Sequence, residues 1–235
     1  MLILFDVDAT LITTSRTGIQ AMGLAGRAAF GDSFDEHRVE YAGRLDPLII
    51  ADLLTAHDQP VTPESVESFR AGYREHLSKL VVQPGMARPC PGIVELLDAI
   101  EADGGFTLGL LTGNYPDTGA IKLRAAGIDP ARFAVTVWGS DCPHDPPARE
   151  HLPAVGLARY RERFERDVPA DRTLIVGDTP HDVSCARAHG CRVLAVGTGS
   201  FGAEHMPEAD GYFDDLSRTE EVLDWIRNTL AQPSR

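Results

Sequence analysis

The chain has 235 residues, of which 43% are apolar and 24% charged, the balance of a globular protein able to bury one large core, or a core plus an insertion. Lys+Arg 22 against Asp+Glu 35 leaves a formal charge of −13, which argues against non-specific binding to nucleic acid or anionic membranes. An anionic ligand must then be received by a local positive site, and only two lysines, Lys79 and Lys122, are present among the arginines.

The first element is "LILF", residues 2–5, a continuous apolar run of the kind that forms a strand covered on both faces. It runs straight into Asp6 and Asp8, which in extended chain point roughly the same way. Two desolvated carboxylates that close repel, so the pair asks for a bound cation, a functional role, or both. No basic, apolar leader pattern precedes the strand and no stretch is long enough to cross a bilayer, so the expectation is a cytoplasmic protein without membrane contact.

Residues 15–80 read as helical. "GIQAMGLAGRAAF" is one candidate, and "DPLIIADLLTAH" a second, with Asp46 as N-cap and Pro47 opening the helix. "TPESVESFRAGYREHLSKL" follows the same logic from Thr62 and Pro63. "VVQPGMARPCPG" then reads as a linker. Beyond it the texture alternates: helix "GIVELLDAI", strand "FTLGLL", helix "DTGAIKLRAAG", strand "FAVTVW", helix "AREHLPAVGLARYRERF", strand "TLIVGD", helix "PHDVSCARAHG", strand "RVLAVGTG", and a last helix near 220–230. This alternation predicts an α/β fold with a parallel, Rossmann-like sheet flanked by helices, residues 1–14 and 85–235 forming the core and 15–84 an inserted helical cap.

Ligands of such sheets lie beyond the carboxyl ends of the strands. Three strands end in polar residues: the first at Asp6 and Asp8, "LGLLTGN" at Thr112, Gly113 and Asn114, and "TLIVGD" at Asp178. Their convergence on one edge would join three carboxylates, a hydroxyl and glycine-backed turns.

These segments resemble the haloacid dehalogenase superfamily, in particular its phosphatases with a helical cap after the first strand. "FDVDATL" is similar to its D-x-D-x-T motif, "LLTGN" to its second motif and "IVGDTPHD" to its acidic fourth motif, in the family's order. The helix before the second motif and the cap placement resemble the phosphoglycolate-phosphatase-like branch. Two positions depart from the pattern. Ala9 stands where the family has glycine, and no lysine follows Lys122, so Arg149 in "PAREHLP" is the best match to the third-motif lysine.

The resemblance implies a Mg²⁺-dependent phosphatase acting on a small phosphorylated metabolite, phosphoglycolate-like or a sugar phosphate. Asp6 would attack phosphorus and form an aspartyl-phosphate. Asp8 would protonate the leaving alkoxide and then activate water. Asp6, Asp8 through its carbonyl, Asp178 and Asp182 would hold the metal, though Asp182 also fits a capping box with Thr179. Thr112, Gly113 and Asn114 would receive phosphoryl oxygens, with Arg149 as the active-site cation and Lys122 in reserve. In "YAGRLDP" of the cap, Arg44 is a candidate for a substrate carboxylate or hydroxyl, and Arg16 a further cation near the site. The alternatives are a phosphosugar mutase of the same superfamily and a non-catalytic phosphate-binding or regulatory protein with a vestigial site. The expected assembly is a monomer or weak homodimer, and the four cysteines, without C-x-x-C spacing, are expected to be reduced thiols.

Overall fold

The computed structural model describes residues 1–231. Strand β1 (Leu2–Phe5) is wholly buried. A tight turn leads to the short β2 (Ile12–Thr13) and into three helices, α1 (Thr17–Phe30), α2 (Asp46–Ala56) and α3 (Pro63–Leu80). The chain returns through β3 (Arg88–Pro89), which pairs antiparallel with β2, Ile12 opposite Pro89 and Thr13 opposite Arg88. From there α4 (Ile93–Asp103), β4 (Thr107–Leu111), α5 (Pro116–Ala125), β5 (Val135–Val137), α6 (Leu152–Phe164), β6 (Thr173–Gly177), α7 (Pro180–Ala188), β7 (Arg192–Val196), β8 (Gly211–Phe213) and α8 (Thr219–Ala231) follow in turn.

The sheet is six-stranded in the order β5-β4-β1-β6-β7-β8, and every pairing in it is parallel. Side chains alternate across a strand, so β1 feeds two cores. Ile3 and Phe5 join Leu108, Leu110, Leu174 and Val176 beneath α4 and α8. Leu2 and Leu4 join Leu111, Ile175 and Val193 beneath α6 and α7. Covering on both faces is why the strand has no polar residue until it ends. Of the strands, β2, β3 and β8 lie outside the expected set; each is two or three residues long and too short to show a period.

Helices α1–α3 build a third cluster of their own, with Met22, Ala25, Ile49, Ile50, Leu53, Phe69, Tyr73 and Leu77. The first and third helices approach closely because Gly72 faces Ala25; a Cβ on Gly72 would lie 3.3 Å from that of Ala25. Helix α3 starts as expected, with the Ser65 amide donating to Thr62 Oγ1 at 3.2 Å and the Thr62 amide to Ser65 Oγ at 2.9 Å. Helix α2 does not. Its N-cap is Leu45, and Asp46 is already helical, its carboxylate turned to the core. All four cysteines are free thiols. No helix among the described residues is long and apolar enough to cross a membrane.

Candidate active site

The three polar strand ends meet, because β4, β1 and β6 are neighbours in the middle of the sheet. Asp6 continues β1, its amide donating to Val176 O at 2.9 Å. The chain then turns tightly, with Leu11 and Ile12 amides both donating to Val7 O and the Ala9 amide to Ile12 O. This turn places Ala9 at φ 57, in the left-handed region where the family's glycine is unstrained.

The turn sends the two aspartates to different partners. Asp6 Oδ1 accepts from the Val7 amide at 2.7 Å, and its Oδ2 lies 3.1 Å from Arg149 Nη2. Asp8 Oδ2 accepts from Lys122 Nζ at 2.7 Å and from Asn114 Nδ2 at 2.8 Å. Asn114 also accepts from Lys122 Nζ at 2.6 Å and donates to Thr112 Oγ1 at 2.9 Å. The Asp8 side chain keeps 43% of its surface exposed, against 6% for Lys122, so the carboxylate is offered to solvent while the ammonium is sealed behind it. Burial alone would lower the Lys122 pKa; Asp8, Tyr73 and Asp46 hold it above its ordinary value. The lysine is therefore charged.

On the other flank, Asp178 follows β6 and Asp182 lies in the first turn of α7. One oxygen from each of Asp6, Asp178 and Asp182 lies within 4.8 Å of the others, and all three residues are buried. Burial, with the neighbouring carboxylates, pushes Asp178 up to about 8. Asp6 is raised as well, by burial first, with Arg149 opposing. Three carboxylates facing one guanidinium leave a deficit of positive charge. An all-oxygen donor set with that deficit fits a hard divalent cation such as Mg²⁺. Asp182 is the most committed of the three. Its Oδ1 accepts from Arg149 Nη2 at 2.5 Å, and its Oδ2 from the Thr179 amide at 3.0 Å and Thr179 Oγ1 at 2.7 Å. Thr10 Oγ1 reaches Asp178 Oδ1 at 3.4 Å. Gly199 lets its backbone press on Asp178, where a Cβ would meet Oδ2 at 1.8 Å.

A cavity of about 550 Å³ opens above these groups, lined by the sheet-edge residues and by Arg16, Ile19, Met22, Arg44, Ile49 and Tyr73 from the helical block. Arg44 lines it but pairs with Asp52 at 2.6 Å; Arg16 is exposed at the start of α1 with φ 62. Gly113 lines the cavity and also abuts the helical block. A Cβ there would lie 2.1 Å from Arg44 O, and its carbonyl accepts from the Asp46 amide at 2.7 Å. Three residues that line the cavity carry no site role legible in the sequence: Asp46, which reads there as a cap, Tyr73, and Thr198, whose hydroxyl donates to Ala9 O.

The family profile of the haloacid dehalogenase-like hydrolases matches residues 3–196. The chain belongs to that family. The pyrophosphatase PpaX of Halalkalibacterium halodurans is 26% identical over 213 residues, covering 88% of each chain. A phosphoglycolate phosphatase of Mesorhizobium japonicum is 25% identical over 224 residues, covering 92% of each. Among solved structures, CbbY from Rhodobacter sphaeroides in complex with phosphate superposes with a TM-score of 0.74 at 24% identity, over 92% of this chain and 94% of that one. That last likeness is one of fold. The expected family, hydrolase class and Rossmann-like α/β core all hold.

Proposed function

We propose that this hydrolase is a Mg²⁺-dependent phosphatase that cleaves a small phosphorylated metabolite through an aspartyl-phosphate on Asp6. The observation that carries the reading is the division of labour between two aspartates only two positions apart. Asp6 is buried beside Arg149 and the acidic cluster, the setting for a nucleophile whose attack on a phosphate must be charge-compensated. Asp8 is half-exposed to the cavity, where a leaving oxygen or a water can reach it to exchange a proton, while Lys122 and Asn114 fix its carboxylate in place. Curated relatives named phosphatase and pyrophosphatase support the same class.

In this reading Asp6 Oδ attacks phosphorus in line with the leaving oxygen, the P–O bond breaks, and Asp8 gives that oxygen its proton. Asp8 then takes a proton from the water that opens the acyl phosphate, which returns Asp6 and releases phosphate. Thr112 and the amides that follow it receive phosphoryl oxygens. Arg149 balances charge at Asp6 while Asp182, with both oxygens engaged, holds Arg149 in place. Asp6, Asp178 and the Asp8 carbonyl would hold the divalent ion, with Asp182 at its margin. The ion would neutralise the nucleophile and the phosphate it attacks. Residues 15–84 act as a cap that shields the acyl phosphate, and Arg44 and Arg16 at the cavity wall meet polar parts of the substrate.

Phosphate release from a panel of small phosphorylated metabolites, with Mg²⁺ and after its removal by chelation, tests the reading. Metal-dependent release that vanishes in Asp6→Asn is the expected result. Isomerisation that requires a bisphosphate primer, with little phosphate released, would assign the chain to a mutase. No turnover of any phosphate ester by the metal-loaded protein would overturn the assignment.

A further inference from the structure

Lys122 and Asp8 meet at a seam between the helical block and the core. A Cβ on Gly18 of α1 would lie 3.5 Å from both Lys122 Nζ and Tyr73 Oη, so helices α1 and α3 close over the ammonium. The helix that carries Lys122 is itself tied to the cap. Tyr115, the N-cap residue of α5, packs in the cap's own hydrophobic cluster, with Ile121 and Ala125 of α5 against its edge. Arg70 of α3 lies 4.2 Å above the Tyr115 ring and pairs with Asp117 at 3.1 Å. Beneath these contacts lies Asp46, 6% exposed, whose Oδ2 accepts from the Tyr115 amide at 3.2 Å and from Thr118 Oγ1 at 3.4 Å. The acid therefore sits not on its own helix start but at that of α5, on the amide of its N-cap residue and the Thr118 hydroxyl, where the helix dipole favours a carboxylate. Its amide meanwhile donates to Gly113 O at 2.7 Å, in the loop that bears Thr112 and Asn114.

We propose that Asp46 is a positioning residue for the proton-transfer step: from the cap it holds the first turn of α5, and so keeps Lys122 and Asn114 on the Asp8 carboxylate. The inference rests on the phosphatase reading in one respect, that Asp8 passes the proton. It makes alignment of Asp8 conditional on the cap segment 43–46 being seated. Tyr115 and Asp46 act as one fastening, a ring in the cap's core and a carboxylate under the helix start.

Leaving-group dependence separates this role from a merely structural one. An alkyl phosphate needs its leaving oxygen protonated, whereas a nitrophenyl phosphate needs this far less. With Mg²⁺ present, Asp46→Ala is expected to lower kcat on the alkyl ester by about tenfold to a hundredfold, the scale of a small misplacement of a reacting group. The aryl ester should lose about threefold or less. Asp46→Asn keeps an oxygen for the Tyr115 amide and should recover most of the alkyl activity. Equal losses on both esters, or none on the alkyl ester, overturn the proposal. If Asp46→Ala does not fold, the isosteric Thr118→Val carries the comparison, with a severalfold alkyl-selective loss expected and an equal loss overturning it. Amide exchange at Tyr115 gives a readout independent of turnover and should quicken in Asp46→Ala; unchanged exchange also overturns the proposal. Should the wild-type protein cleave neither ester, the phosphatase reading fails, and exchange still judges the Asp46 contact.

Discussion

Lys122 Nζ lies 2.7 Å from Asp8 Oδ2, across 114 positions of sequence, while Arg149 stands against Asp6 and never shares that partner. The two buried cations thus serve different aspartates, and their removal should leave different signatures. Arg149→Ala should cut turnover of alkyl and aryl esters alike by about a hundredfold, the scale of one transition-state donor. Arg149→Lys should recover only part, because the fork reaches Asp6, Asp182 and Gly43 O together and an ammonium cannot span all three. Lys122→Ala should instead be selective, with a larger loss on the alkyl ester. Steady-state kinetics on the two ester classes checks both; matching profiles for the two alanine variants would refute the division.

Stability should depend on metal and pH together. The folded metal-free protein holds Asp178 at about 8, above its ordinary 3.8, because burial and the Asp182 and Asp6 carboxylates disfavour its charge. A raised carboxylate binds more protons folded than unfolded, so its contribution is present at low pH and lost as pH rises from about 4 through about 8. A divalent ion competes with those protons for the same oxygens. The gain in Tm on adding Mg²⁺ should therefore grow from roughly pH 5 to pH 8.5, and Asp178→Asn should flatten it. Thermal melts with and without metal decide this, and a gain that shrinks with pH would contradict it.

Ala9→Gly should stabilise the protein without loss of activity. The left-handed conformation costs a residue with a Cβ roughly 1–2 kcal/mol, and glycine's extra freedom in the unfolded chain gives back about 0.5–1 kcal/mol. The net gain is about 0.5–1 kcal/mol, readable as a higher urea midpoint at unchanged slope. A lower midpoint would mean that the Ala9 methyl contributes packing that outweighs the strain.

Gly113→Ala should unseat the cap segment. The new methyl would lie 2.1 Å from Arg44 O, a backbone atom that cannot swing aside, so the 43–46 segment or the 112–114 loop must move. Either shift opens the site, and KM for the phosphate ester should rise about tenfold or more. Unchanged KM would show that the seam tolerates a shift of that size.

The core and the carboxylate centre were legible in the sequence because each rests on a local contradiction. An apolar strand that ends in aspartate cannot be explained by packing, and Asp6 and Asp178 sit where that contradiction occurs. Asp46 was misread for the opposite reason: Asp-Pro before an apolar helical run satisfies the N-cap rule completely, and only three-dimensional neighbours reveal that its carboxylate sits at the start of α5 instead. Lys122 stands out as one of only two lysines and a reserve cation, but "AIKLRAAG" is ordinary helix and nothing in it records that the partner is Asp8, 114 positions away. Gly113 lines the cavity as expected, but its contact with the Arg44 carbonyl of the helical block could not be read from the sequence. Such seams join segments far apart in sequence, and no periodicity or spacing records them.

The position of β1 has a consequence for how the protein is made. It is synthesised before its partners, yet Leu2 pairs with Thr107 on one side and Thr173 on the other. At the usual pace of translation, β1 waits roughly 10–30 s for the second partner to be added. During that interval a fully apolar strand has at first no partner and then only β4, which makes it a target for chaperones and for wrong pairing. The α1–α3 cluster draws almost all its members from residues 21–81 and faces no such delay. The nascent chain can thus assemble the helical cluster before β1 has its full sheet, and the Asp6, Asp178 and Asp182 cluster is among the last features to form.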